Sequence, residues 1–137
     1  MTWGLGSRAR RGALLLAAAA LGAAPALAVS MRVAALSKIE RGRWQVRELD
    51  SAVAPVALCL GDAAQILRFA HRNASCQADV FEDGTKGVTI QYSCPGRGFG
   101  HTHVRVETPR AMMIDTQGLS NGRPFAYRLE ARRVGAC

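Results

Sequence analysis

The sequence predicts a mainly β chain of the α+β class, an antiparallel meander of about six strands, open or partly closed into a barrel, with one short helix. Three observations predict it. Short segments of alternating polarity recur after residue 76, separated by turn signals at Asp83-Gly84, Pro109 and Asn121-Gly122. Only one stretch, near residues 62–72, carries apolar residues at helical spacing. Four cysteines, Cys59, Cys76, Cys94 and Cys137, lie where disulfides would staple a small domain.

The N-terminus reads as a cleavable export signal over residues 1–28. Arg8, Arg10 and Arg11 form a basic region, Gly12 to Ala24 is a short apolar run, and Ala26-Leu27-Ala28 supplies small residues for cleavage. The run is well short of the roughly 20 residues that span a bilayer. Cleavage after Ala28 leaves 29–137, one domain of 109 residues. Three arginines leave with the signal, so the formal charge falls from +8 to +5. The expected location is periplasmic or secreted, with no transmembrane segment after cleavage. The basic residues are scattered and aromatics make up only 6% of the chain, which argues against nucleic acid. A mildly basic surface of this kind suits an anionic envelope component or a small ligand.

Residues 29–41 form a lead-in or short helix. Arg43–Leu49 alternates and gives a first strand with Trp44 and Val46 on one face. Ala52–Ala57, containing Pro55, is a connection. Asp62 is placed to cap a helix in which Ala63, Ile66, Leu67 and Ala70 share one face, with His71 and Arg72 complementing the dipole in the last turn. The hairpin Cys76–Glu82 and Lys86–Cys94, centred on Thr85, sets Val80 opposite Ile90 and Ala78 opposite Tyr92. The same register brings Cys76 opposite Cys94, at a ladder separation that suits a bridge, and leaves Cys59 for Cys137.

Pro95–Phe99 then forms a five-residue loop, pairing Tyr92 with Thr102 and Ile90 with Val104. A three-residue loop centred on Pro109 pairs Val104 with Ile114 and Val106 with Met112. The Asn121-Gly122 turn, of type I′ character, pairs Ile114 with Leu129 and Met112 with Ala131. One face then carries Val80, Val88, Ile90, Tyr92, Val104, Val106, Met112, Ile114, Phe125, Tyr127 and Leu129, with the helix and Trp44 as cover.

The opposite face is the candidate ligand face. It aligns Gln91, His103, Asp115 and Arg128 in one row and Ser93, His101 and Gln117 in the next. Thr89, Arg105, Met113 and Glu130 lie on the other side. His101 and His103 on one strand face are the candidate metal ligands, with Met113 a soft third donor and Arg128 competing for Asp115. His103 beside Asp115 is also half of a hydrolase triad, but no Gly-x-Ser-x-Gly elbow marks Ser93 as a nucleophile. Gly96-x-Gly98-x-Gly100 joins two strands rather than feeding a helix, so it reads as a hairpin tip and not a phosphate loop. No cofactor motif is present.

Gly42-Arg43-Trp44-Gln45-Val46 inside an export signal, then Cys59-Leu60 before a helix cap, Cys76, and a strand ending in Cys94 before a Gly-rich hairpin, form an ordered set. That order resembles the bacterial exported domain-of-unknown-function family 3617, over about residue 36 to the C-terminus. Gly61 departs from the hydroxyl residue expected after Cys59-Leu60. The resemblance implies a β-rich periplasmic protein and carries over no catalytic residue. The function expected from residues and resemblance together is a non-catalytic binding or accessory domain of the envelope. A metal-handling protein using His101 and His103 is the alternative, and a small hydrolase is third.

Overall fold

The structure, a computed structural model, describes residues 32–137; the expected export signal lies outside the described residues. A single antiparallel sheet of seven strands dominates: β1 (Gly42–Glu48), β2 (Val56–Leu60), β3 (Gln77–Asp83), β4 (Gly87–Cys94), β5 (Gly98–Thr108), β6 (Ala111–Ser120) and β7 (Arg123–Gly135). Their order across the sheet is β2-β1-β7-β6-β5-β4-β3, and the sheet is not closed. The meander runs from β3 to β7, and the first strand then docks beside the last.

The seventh strand, β2, falls in part where the sequence suggests a connection. Its residues alternate weakly because β2 is an edge strand and only Leu60 is buried. Its partner β1 alternates cleanly, with Gly42, Trp44 and Val46 inward and Arg43, Gln45 and Arg47 outward. Trp44 is therefore part of the sheet's inner face rather than a cover over it. The side chain is fully buried, and its Nε1–H donates to the Glu40 carbonyl at 3.0 Å. The lead-in contains a 3₁₀ turn at Ala34–Leu36, whose first amides donate to the two carboxylate oxygens of Asp83 at 2.7 and 3.0 Å.

Asp62 caps the helix as expected, its Oδ1 accepting from the Ala64 amide at 2.9 Å. The helix itself, Ala63–His71, is a 3₁₀ helix kinked at Arg68 rather than a regular α-helix. It leaves β2 at one end of the sheet and must reach β3 at the other. A rise of about 2.0 Å per residue carries nine residues about 18 Å, against about 14 Å for an α-helix. Ile66 and Leu67 plug the inner face, where they join Trp44, Val88, Ile90, Tyr92, Val104, Met112, Ile114, Leu129 and Ala131.

Both disulfides form as the hairpin register requires. Cys76–Cys94 spans Cα atoms 4.1 Å apart and Cys59–Cys137 spans 5.8 Å. The β3–β4 pairing holds through Ala78↔Tyr92 and Val80↔Ile90, then shifts at a bulge that leaves Phe81 unpaired. Val80 points to the inner side but is 43% exposed, because the outermost strand lies beyond the helix's cover. The β5–β6 and β6–β7 registers also hold, with Val104↔Ile114 and Ile114↔Leu129. Glu107 bulges out, so the turn at Pro109-Arg110 has two residues and not three. Asn121 and Gly122, both at positive φ, make the tight turn between β6 and β7.

The β4–β5 loop differs. Cys94 pairs with Gly98, so the loop is Pro95–Arg97, and Tyr92 faces Gly100 while Ile90 faces Thr102. Gly96, at φ +73°, supplies the left-handed residue that lets three residues reverse the chain. The slip is two residues, an even number, so every side chain keeps its face. Gly100 now has a role: a Cβ there would fall inside the Tyr92 ring. Gly100→Ala is expected to cost about 2–3 kcal/mol by overpacking. A urea titration against wild type measures it, and no change in midpoint would show that the ring moves aside freely.

Candidate functional site

His71 is the residue whose environment differs most from expectation. The sequence places it in a final helical turn, where positive charge complements the dipole; in the structure it is 6% exposed. Its ring meets Tyr92 and Phe125 edge-on, at centroid distances of 5.4 and 5.8 Å. Nδ1 lies 3.1 Å from the Tyr92 hydroxyl and Nε2 lies 3.4 Å from the Arg97 carbonyl. A carbonyl only accepts, so the neutral ring carries its hydrogen on Nε2, and Tyr92 donates to Nδ1. The result is a hydrogen-bonded chain from the Tyr92 hydroxyl through His71 to the β4–β5 turn, and it ties the helix to that turn. The Thr102 and Thr116 hydroxyls are 2.7 Å apart. Among the described residues no buried side-chain polar atom is left unpartnered. The chain is structural, with every member satisfied internally.

The outward face is where unsatisfied groups collect. Gln91, His101, His103, Arg105, Asp115 and Arg128 are all exposed there, as expected. The shorter β4–β5 loop shifts the β4 member of all three rows, and Arg105 now faces Gly87 rather than Thr89. His103↔Asp115↔Arg128 stays aligned, but Thr89 rather than Gln91 heads that row. Gln91 faces His101, followed by Gln117 and Ala126. Ser93 faces Phe99, two rows from His103. Four residues at about 3.3 Å each put Ser93 about 13 Å from the His103 row, so this face brings no serine to the half-triad.

Around His101, His103, Asp115, Gln117 and Arg128 lies an open depression of about 450 Å³. Ala126, paired with Gln117 on β6, lines it with a short side chain. Arg128 contacts Asp115 at 3.6 Å and Asp50 at 3.8 Å, both longer than a good charge-assisted hydrogen bond. His103 is held from the other side. Its Nδ1 is 2.9 Å from Thr89 Oγ1, which donates to Glu82 Oε2 at 3.1 Å. Neither Thr89 nor Glu82 stands out in the sequence as a partner of His103; a three-residue loop at Pro95–Arg97 is the signal that would have aligned Thr89 with it.

Beyond this row the face becomes arginine-rich. On β1 and β7 the outward positions hold Arg43, Arg47, Arg128 and Arg132. Arg132 and Arg47 both hydrogen-bond Glu130, each at 2.6 Å, and hold its carboxyl below the ordinary carboxylate range. Arg105 reaches Glu107 instead, leaving Met113 between it and Glu130. Met113 therefore lies on the far side of the His103 row from His101. Among the described residues no three or more His, Cys, Asp or Glu side chains converge to hold a metal ion.

No family model, curated protein or solved structure matches this chain. Among the described residues no helix is long and apolar enough to cross a membrane.

Proposed function

We propose that the chain is an exported, non-catalytic binding or accessory domain of the cell envelope, and that its outward sheet face docks an anionic component. The supporting observation is the arginine group on adjacent strands β1 and β7, where Arg47 and Arg132 share the carboxylate of Glu130 and Arg128 has only long contacts to Asp115 and Asp50. The side chains of Arg47, Arg128 and Arg132 are 54–69% exposed. The Arg128 pairs, long and exposed on both sides, contribute little to stability, so exchanging their carboxylates for an external phosphate or carboxylate costs the fold little. The two disulfides fit an oxidising compartment. The order of Gly42–Val46 and the cysteines, similar to domain-of-unknown-function family 3617, supports the same location.

Retention on a phosphocellulose matrix tests this. Arg47→Gln/Arg128→Gln/Arg132→Gln should elute at clearly lower salt than wild type. Arg72→Gln/Arg110→Gln/Arg123→Gln, with the same loss of charge elsewhere, should elute close to wild type. At about 1 kcal/mol per arginine near an anionic surface, the first triple loses roughly 100-fold in affinity. Equal shifts in both triples would overturn the reading, because total charge and not this face would then be responsible.

A further inference from the structure

We propose that the depression beside Ala126 holds an acidic oligosaccharide, a chain of uronic-acid type. The inference rests on the anionic-ligand reading above and names its chemistry. It begins with one proton. A threonine hydroxyl has a single hydrogen, and a carboxylate only accepts. Thr89 gives that hydrogen to Glu82 Oε2 at 3.1 Å, so at 2.9 Å it accepts from His103. Nδ1 of His103 therefore bears the ring hydrogen, and Nε2 of the neutral imidazole is the free acceptor. Glu82 and Thr89 act as positioning residues, fixing the ring's tautomer as outer partners do for functional histidines.

The neighbours complete a recognisable set. Asp115 pairs with His103 across the strands and adds a second acceptor; Gln117, opposite His101, offers both a donor and an acceptor. Acceptors grouped in this way call for a ligand rich in hydroxyls. Arg128, with only long contacts to Asp115 and Asp50, keeps donors for a carboxylate. Phe99 occupies the next row along β5, on the same face, and is 44% exposed. An exposed ring beside hydroxyl acceptors suits stacking against the C–H face of a sugar. The depression of about 450 Å³ falls within the usual range for small-ligand sites. A lipid phosphate would satisfy Arg128 alone and leave the acceptors and the ring without purpose.

Isothermal titration of the purified chain at low salt, with a tetra-uronate, a neutral oligosaccharide of equal length and anionic vesicles, tests this. The tetra-uronate should bind, and the neutral chain should bind at least tenfold more weakly. Thr89→Val, which keeps the shape and removes the hydroxyl, should weaken tetra-uronate binding about tenfold at an unchanged melting temperature. Phe99→Ala, at an exposed position, should do the same and remains the deciding variant if Thr89→Val does not fold. Tight binding of vesicles with none of the tetra-uronate overturns this inference and leaves the anionic-ligand reading standing. Binding of neither overturns both. Full tetra-uronate affinity in Phe99→Ala, or in a folded Thr89→Val, overturns the site as drawn.

Discussion

Removing the long bridge with Cys59→Ser/Cys137→Ser is expected to destabilise the protein by about 4–5 kcal/mol. Removing the short one with Cys76→Ser/Cys94→Ser should cost about 3 kcal/mol. The difference comes from the lengths of chain closed, 78 residues against 18, because a longer constrained loop removes more freedom from the unfolded ensemble. For a domain of this size the larger loss lowers the thermal midpoint by about 20 °C. Paired urea titrations of the two double variants measure both. If the short bridge proved the more costly, loop entropy would not be the origin, and local support of edge strand β3 would be. Cys59 sits on edge strand β2 and Cys137 just beyond β7, so the long bridge also holds the β2–β1 hairpin to the rest of the sheet.

The second large effect lies in the core. His71→Ala is expected to cost about 3 kcal/mol, through the lost packing and through two partners, the Tyr92 hydroxyl and the Arg97 carbonyl, left without it. Tyr92→Phe should cost about 1–2 kcal/mol. The double variant should fall short of the sum by about 1 kcal/mol, because each single change already breaks the same chain. Strict additivity would show that the two residues stabilise the fold separately.

Alkaline pH offers an independent reading of the same group. Burial pushes the Tyr92 phenol above its ordinary value of 10, against the opposing pull of the Thr116 hydroxyl and the Arg68 charge. Above pH 10 the unfolded chain releases this proton while the folded chain keeps it, so the unfolded state binds fewer protons and stability falls. The contribution is complete below pH 10 and is lost as pH rises through the folded value. Tyr92→Phe should flatten this limb of the stability profile, as followed by unfolding midpoints between pH 8 and 11.

The faces of the strands were legible in the sequence because their period is two and the turn residues are strongly marked. Asn121-Gly122 fixes one hairpin, and Asp83–Gly87 fixes another well enough to place Cys76 against Cys94. The loop at Pro95–Arg97 was less legible, since three glycines in alternation allow several loop lengths. Even so, the two-residue slip left every inner residue inside. What it altered was the partnership of outward residues: Thr89 took the place of Gln91 beside His103, and Phe99 moved from a loop onto the face. Strand β2 was obscured because an edge strand with one buried residue shows little alternation. The burial of His71 left no local signal, since its partners Tyr92, Arg97 and Phe125 come from three other parts of the chain.

The placement of β1 against β7 has a consequence for how the molecule is made. Its register runs from Arg43 with Gly135 to Glu48 with Leu129, so β1, which pairs locally with β2, finds its second neighbour only when nearly all of the polypeptide is present. Contacts this distant in sequence form slowly. A growing chain therefore cannot join the β1–β2 hairpin to the rest of its sheet until synthesis is almost finished.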